Sequence, residues 1–551
     1  MTSRPIAKHI PFTLLLLALL LFGLFTFRDY GLSWDEPLFY DYGESLGYAY
    51  TPANWFSPDF DLSKSYGSSG DDHKNRGPAY LVLARTPVGL LESLGADSAS
   101  AWHLVNFLTF LLGVYFVYRL SLRWMGEWAA FGAAALFSTQ PLLWGHAFIN
   151  PKDMPFLVFF TGALLFGFEM ADAVNDETKS VKRKLRSVVL AAFFLGIATS
   201  IRILAPLAGI LASIYALAQY VARSKQANHP RFSSFFLLLS SFPLLTLLFM
   251  LASWPYLWEA PLNRFIEVFA FMSENPTGLQ VLFNGEIYRA YELPRRYLPV
   301  LLAITLTEPV WPLFLLGIIS STLTTFRAKF LPRQLPIINL QSPTTDYWLL
   351  LTAFLLPFLY VLLRQPPMYD GFRHFLFILP PVFVTCALGL EIILKWSERG
   401  LQSAQRADWK SAFRLGVILL TLLPGLLGAA RLHPYQYAYY NSLVGGTGGA
   451  FRVYETDYWL TCYKEAVEQF NAFAPRPANL YVHREAYIAA NYAGEGISVR
   501  ETRGNLNAIV SGDYVLVNSR TNEDRKTFRD APIVSEVGRE GATFCVIRQI
   551  P

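Results

Sequence analysis

Long stretches without a single charge decide what this chain can fold into. No charged residue falls between His9 and Arg28, and none between Arg231 and Glu259. A membrane-spanning helix needs about 20 consecutive apolar residues. A soluble core helix of that length keeps one polar stripe, and these runs have none. Across 551 residues, 53% are hydrophobic and 16% charged, against roughly 25% charged in ordinary soluble domains. The pattern excludes a soluble multidomain enzyme, and no basic patch with a fold of its own points to nucleic acid. The first run lacks a small-residue cleavage site, so it reads as a retained span rather than a signal peptide.

Eleven spans are expected, near 11–27, 101–118, 128–145, 154–170, 187–201, 203–221, 233–253, 300–325, 347–363, 375–394 and 415–430. Basic residues test the parity. Arg4 and Lys8, Arg119 and Arg123, Lys179 with Lys182, Arg183 and Lys184, Arg223 and Lys225, Arg327 and Lys329, and Lys395 through Arg414 all fall in alternate connections. Positive charge marks the cytoplasmic side, which places the amino terminus inside and the carboxyl terminus outside. The fold expected is a polytopic α-helical membrane protein with a small extracytoplasmic α/β domain, the membrane part covering 1–431 and the tail 432–551. In the tail, residues 458–473 have helical periodicity, and NLYVHREA, DYVLVNSR and FCVIRQI read as β-rich runs. Of three cysteines, Cys386 sits in an apolar run, while Cys462 and Cys545 both fall in the tail, where a disulfide is open to them.

The chemically varied residues collect on the outer side. The first outer loop begins RDYGLSWDEPLFYDYGES, with adjacent carboxylates Asp35 and Glu36 among aromatics. A general base needs a carboxylate whose surroundings raise its proton affinity; the plainer reading is a solvated acid in an interfacial aromatic belt. The turn GHAFINPKDMPF puts Asp153 at the mouth of the next span, where it can serve chemistry or cap the helix ahead of Pro155. His146 is a partner for it or an interface residue. Basic outer residues complement the acids: His73, Lys74 and Arg76 in DDHKNRGPAY, and Arg373 and His374 in YDGFRHF. Such groups can hold a phosphate by charge-assisted hydrogen bonds or anchor the protein among headgroups. Arg202 and Glu308 are the chief charges inside apolar sequence, and intramembrane charges are functional candidates; Arg202 can also be a boundary between two short spans.

Several ordered segments carry a resemblance. They are Trp34-Asp35-Glu36, HLVNFLTFLLGVYFVYRLSLRWMG, Asp153-Met154-Pro155, LFNGEIYRAYELPRRYLPV, YDGFRHFLFILPP and YYNSLVGGTGGAFRVYETDYW. In that order the chain resembles the GT-C class of membrane glycosyltransferases, in the bacterial branch related to protein O-mannosyltransferases and the lipid A aminoarabinose transferase. The resemblance implies a polyprenyl-phosphate-linked sugar donor and a protein, lipid or glycan acceptor. It also implies transfer on the outer face of the plasma (inner) membrane, among its lipids. It assigns the acid that acts on the acceptor to Asp35, with Glu36 and Asp153 as supporting acids. The departing phosphate falls to Lys74, Arg76, Arg373 and His374. Relatives often carry a Lys- or His-Pro-Pro stretch where this chain has His73-Lys74-Asn75-Arg76-Gly77-Pro78, so Lys74 and Arg76 both stay candidates. No cofactor is indicated and no metal ligands are expected; a divalent cation stays open but nothing in the sequence points to one. A single displacement would invert the anomeric centre. Two other classes compete. A flippase or transporter of lipid-linked precursors needs functional charges at mid-membrane depth, and an assembly subunit gives no reason for two span-mouth acids opposite basic residues.

Overall fold

The computed structural model describes residues 9–223, 232–274, 277–330, 344–400 and 407–551. Arg4, Lys8, Lys225 and part of the basic run between Lys395 and Arg414 lie outside them. Within them, seven helices are long and apolar enough to cross a membrane: Ser98–Ser121, Asp153–Val174, Val181–Ile201, Phe232–Ala252, Thr345–Arg364, Arg373–Trp396 and Lys410–Leu432. An eighth span results if Tyr297–Thr305 and Val310–Phe326, bent by 109° at their junction, are taken together. The other three expected segments are helical too, as Ile10–Thr26, Pro206–Arg223, and the pair Glu127–Ser138 and Pro141–Ile149.

Both interruptions have local causes. Pro141 and Pro309 cannot donate to a preceding turn, so each ends the helix before it. At the second break the freed carbonyls find partners: the side-chain amide of Asn441 donates to Ala303 O and Leu306 O, both at 2.8 Å. Backbone freed at membrane depth must be satisfied in this way. Glu308 serves the same junction by accepting from the backbone N–H of Ser442 at 2.9 Å.

Burial ranks the helices. The apolar window of Asp153–Val174 is 89% buried and that of Arg373–Trp396 is 83%, whereas Phe232–Ala252 is 17% buried and lines the rim. The two innermost helices thus begin at Asp153 and Arg373. The connection between residues 26 and 98 is less of a loop than its sequence suggests. It folds into the helices Glu36–Ser45, Pro52–Trp55, Gly70–His73 and Ala79–Ser93. Arg85 ties two of them together by donating to Glu44 O at 2.6 Å.

A hairpin, β1 (Gln280–Phe283) and β2 (Glu286–Arg289), lies between the helices Phe232–Ala252 and Tyr297–Thr305. The tail forms a five-stranded sheet from β3 (Ala478–Val482), β4 (Ile497–Glu501), β5 (Tyr514–Asn518), β6 (Ile533–Arg539) and β7 (Ala542–Gln549), in the order β4-β3-β5-β7-β6. β3 runs parallel to both β4 and β5, and β7 is antiparallel to its neighbours. The periodic stretch from 458 is helical only from Cys462 to Phe473. Its start is set by Asp457, which accepts the N–H groups of Thr461 and Cys462 at 3.1 and 3.0 Å. Cys462 and Cys545 are joined by a disulfide, and Cys386 is free and buried.

Candidate active site

The site forms where the two innermost helices begin. Asp35 ends a short turn before the helix Glu36–Ser45, and its carboxylate makes no capping bond. The carboxylate instead reaches Arg373 Nη1 at 3.1 Å and keeps 29% of its side chain exposed. The same guanidinium nitrogen lies 3.1 Å from Asp153 Oδ2, and Nη2 lies 3.2 Å from Asp370 Oδ2. One arginine therefore gathers three carboxylates. A left-handed pair, Asp370 at φ 56° and Gly371 at φ 64°, turns the chain just ahead of it, and a glycine accepts such a dihedral without a Cβ clash. The Tyr297 hydroxyl holds the turn by donating to Gly371 O at 3.1 Å.

Asp153 is the first helical residue, and its side chain does not cap the helix. Asn150 does that work, its Oδ1 accepting from the N–H groups of Lys152 and Asp153 at 3.2 and 2.8 Å. Freed from capping, the Asp153 carboxylate pairs with Arg202 as well as with Arg373. Arg202 stands in extended backbone directly after Val181–Ile201, so it is both a helix boundary and a partner of the site.

Arg76 reaches the neighbourhood because its loop packs flat against that helix end. A Cβ on Gly77 would overlap the carbonyl oxygen of Ser200, so only glycine allows the approach. Arg76 Nε pairs with Asp72 at 2.6 Å. Next to it, burial and the Arg76 charge lower His73 to about 4, so it stays neutral at pH 7. Lys74 turns to Asp71 at 3.2 Å, whose side chain is fully exposed. His374 stacks edge-on against Tyr369 at 4.8 Å. Glu36, next to Asp35 in sequence, goes elsewhere. It is fully buried and accepts from the Ser33 N–H at 2.6 Å and from the Tyr40 hydroxyl, with His103 Nε2 at 2.9 Å. The structure thus brings Asp35, Asp153 and Arg373 into contact, and sets Glu36 and Lys74 apart from them.

Three contributors were not read from the sequence. Lys152 precedes Asp153 and is buried at 5% exposure. Burial above all, then Arg76 and Arg202, holds its ammonium well below the usual lysine range. Asp370 and Arg520 are the others. Arg520 follows β5 and pairs with Asp370 Oδ1 at 2.7 Å and Glu455 Oε1 at 3.0 Å, with its guanidinium 4.5 Å above the Trp34 ring. Trp459 Nε1 donates to Asp370 Oδ2 at 3.0 Å. The signal for Lys152 and Asp370 was a charge beside an already suspected residue; for Arg520 no local signal existed. His146 bonds the Tyr458 hydroxyl at 3.0 Å and Asn150 Nδ2 at 3.1 Å, which makes it a support for the capping residue. Among the described residues, no group of three or more His, Cys, Asp or Glu side chains is placed to hold a metal ion.

Residues 88–247 match a family model described as dolichyl-phosphate-mannose-protein mannosyltransferase. No curated protein matches the chain. Among solved structures it is similar to ArnT from Cupriavidus metallidurans in the apo state, at 14% identity over 97% of both chains with a TM-score of 0.48. It is also similar to the archaeal oligosaccharyltransferase AglB from Archaeoglobus fulgidus, in complex with an inhibitory peptide and a dolichol-phosphate, at 13% identity over 94% of this chain and 70% of that one, TM-score 0.47. The arabinofuranosyltransferase AftD from Mycobacteria is 13% identical over 97% of this chain and 40% of its own, TM-score 0.44.

Proposed function

We propose that this protein is a glycosyltransferase that moves a sugar from a polyprenyl-phosphate donor to a hydroxyl acceptor on the outer face of the membrane, with inversion at the anomeric carbon. The observation that carries the reading is the single guanidinium of Arg373 between Asp35 and Asp153. It sets the one partly exposed carboxylate of the cluster beside a fixed positive charge. Asp35 takes the proton of the acceptor hydroxyl, the acceptor oxygen bonds to the anomeric carbon, and the bond from that carbon to the phosphate oxygen breaks. The electron pair leaves with the polyprenyl phosphate, which gains a negative charge. That charge needs neutralisation more than protonation, and fixed cations aimed at developing charge supply it without reorganisation. Arg76, Arg373 and His374 are the neighbouring groups for that role. Asp153 holds Arg202 and Arg373 in register, and Glu36 braces the loop that carries Asp35.

Residues 432–551 form, in this reading, an extracytoplasmic unit that closes the site from above. The Cys462–Cys545 disulfide supports the placement, since disulfides persist in oxidising compartments, and so does the bias of basic residues to the opposite connections. A flippase is disfavoured because the charge cluster sits at the helix starts rather than midway along them. Mass spectrometry of envelope glycoproteins and glycolipids from cells with and without the protein tests the reading. Loss of one glycan modification while the lipid-linked donor still reaches the outer leaflet supports transfer; the same loss with precursor stranded on the inner leaflet points to transport.

A further inference from the structure

The turn that opens the innermost helix holds a lysine amino group with no hydrogen-bond partner. Lys152 Nζ is buried, has no hydrogen-bond partner, and lies 5.4 Å above the ring of Phe39. The charges that act on it are Arg76, Arg202, Asp153 and Asp72. Both acids are already engaged, Asp72 by Arg76 at 2.6 Å and Asp153 by Arg202 and Arg373. The guanidiniums that grip Asp153 each keep a buried donor unpaired as well, Nε of Arg202 and Nε of Arg373. Buried donors without partners are costly and rare, and here three of them belong to residues meeting at one helix start. The first turn of Asp153–Val174 adds the positive end of a 22-residue helix.

We propose that Lys152 is the principal ligand of the lipid-linked phosphate, with Arg202 and Arg373 offering their unpaired Nε groups beside it, and that Lys74 has no part in binding it. The proposal rests on the polyprenyl-phosphate reading and adds to it a residue and a geometry. A phosphate has the oxygen acceptors that these donors lack, and its negative charge gives the buried ammonium a counter-ion. The compact, rotatable ammonium on a flexible stem suits an oxygen whose charge grows as the sugar departs. Lys74, paired to a solvent-facing acid, is spent at the surface.

The test is binding of polyprenyl monophosphate, without sugar, to the purified full-length protein in nanodiscs. Polyprenol and inorganic phosphate serve as comparison ligands. Wild type should bind the lipid phosphate and ignore the alcohol. Lys152→Met should weaken that binding by about 10- to 100-fold, the effect of losing one charge-assisted contact, while Lys74→Met should change it less than about 3-fold. Lys152→Met should also unfold at a higher temperature without ligand, because it removes a buried polar group that has no partner; a lysine with a purely structural role would give the reverse. If wild type binds the lipid phosphate and Lys152→Met binds it equally well, or if Lys74→Met carries the loss, the assignment of Lys152 is wrong. If inorganic phosphate binds as well as the lipid and is lost in the same variant, the site is for a free anion and the lipid assignment is wrong. If wild type does not distinguish polyprenyl phosphate from polyprenol, the donor class itself fails.

Discussion

Arg520 of the tail and Asp370 of the membrane part meet at 2.7 Å, both buried. Asp370 in turn faces Arg373, which faces Asp35. The tail therefore contributes to the charge order around Arg373. The arginine stands where β5 ends, beside a parallel neighbour, in keeping with the tendency of α/β sheets to present functional side chains beyond their strands' carboxyl ends.

Replacing Arg520 by Met leaves Asp370 and Glu455 buried with one cation fewer. Removing one partner of a buried pair costs about 3–5 kcal/mol, so thermal unfolding in detergent should shift down by several degrees. Transfer should fall as well, because Asp370 then competes harder for Arg373. The double variant Arg520→Met with Glu455→Gln should regain part of the stability. No recovery would mean that Arg520 acts through its stacking on Trp34 instead.

Glu455 makes stability depend on pH. Burial, opposed by Arg520, pushes its carboxyl up from 4.5 to about 7. The folded protein thus holds this proton more tightly than the unfolded chain does. Its contribution is full below pH 4.5 and is lost as pH rises toward 7, by an amount on the order of 3 kcal/mol. Unfolding temperatures of wild type and Glu455→Gln, measured from pH 4.5 to 8, should diverge across that window, with the variant the flatter. Parallel curves would show that Glu455 does not titrate there.

Much of this architecture was legible because charge-free runs leave few choices for a chain in a membrane. All eleven expected segments contain helix, and among the described residues seven helices, or eight with the bent pair joined, are long and apolar enough to cross a membrane. The breaks before Pro141 and Pro309 were not expected, since the hydropathy continues across them and only the proline betrays the interruption. In the tail, NLYVHREA, DYVLVNSR and FCVIRQI were readable as strands, while β4 and β6 were not, their charged residues diluting the alternation. Asp35, Asp153 and Arg373 could be suspected singly as charges at span mouths. Their convergence depends on helix packing, which periodicity does not encode. Lys152 stands beside Asp153 with nothing in the sequence to mark its burial, and Arg520 touches a residue 150 positions away.

Glu36→Gln should behave as the loss of a structural acid, unlike a change at the proposed base Asp35. Its carboxylate accepts from two donors and faces His103 in a buried pocket. Exchanging an oxygen for an amide sets donor against donor, at about 1–3 kcal/mol. Stability should drop while binding of polyprenyl phosphate per folded molecule stays unchanged. A variant of normal stability with weakened binding would place Glu36 in the site.

Single cysteines test the orientation without removing the native ones, because Cys386 is buried and the other two are joined. Ser180→Cys lies in a basic connection and Asp530→Cys in the tail, both at exposed positions. A membrane-impermeant maleimide applied to intact cells, in which it reaches only the outer side, should label the second and spare the first. The opposite pattern would invert the topology.

The most direct test of the account is transfer of a radiolabelled sugar from polyprenyl phosphate to acceptor by purified wild-type protein and by Asp35→Asn. The substitution keeps the shape of the side chain and removes its proton affinity. Loss of one general base costs about 10²- to 10⁴-fold in rate, so turnover should fall by that much while binding of polyprenyl phosphate is kept. An Asp35→Asn protein that transfers sugar at near wild-type rate would contradict the account and move the base to Asp153.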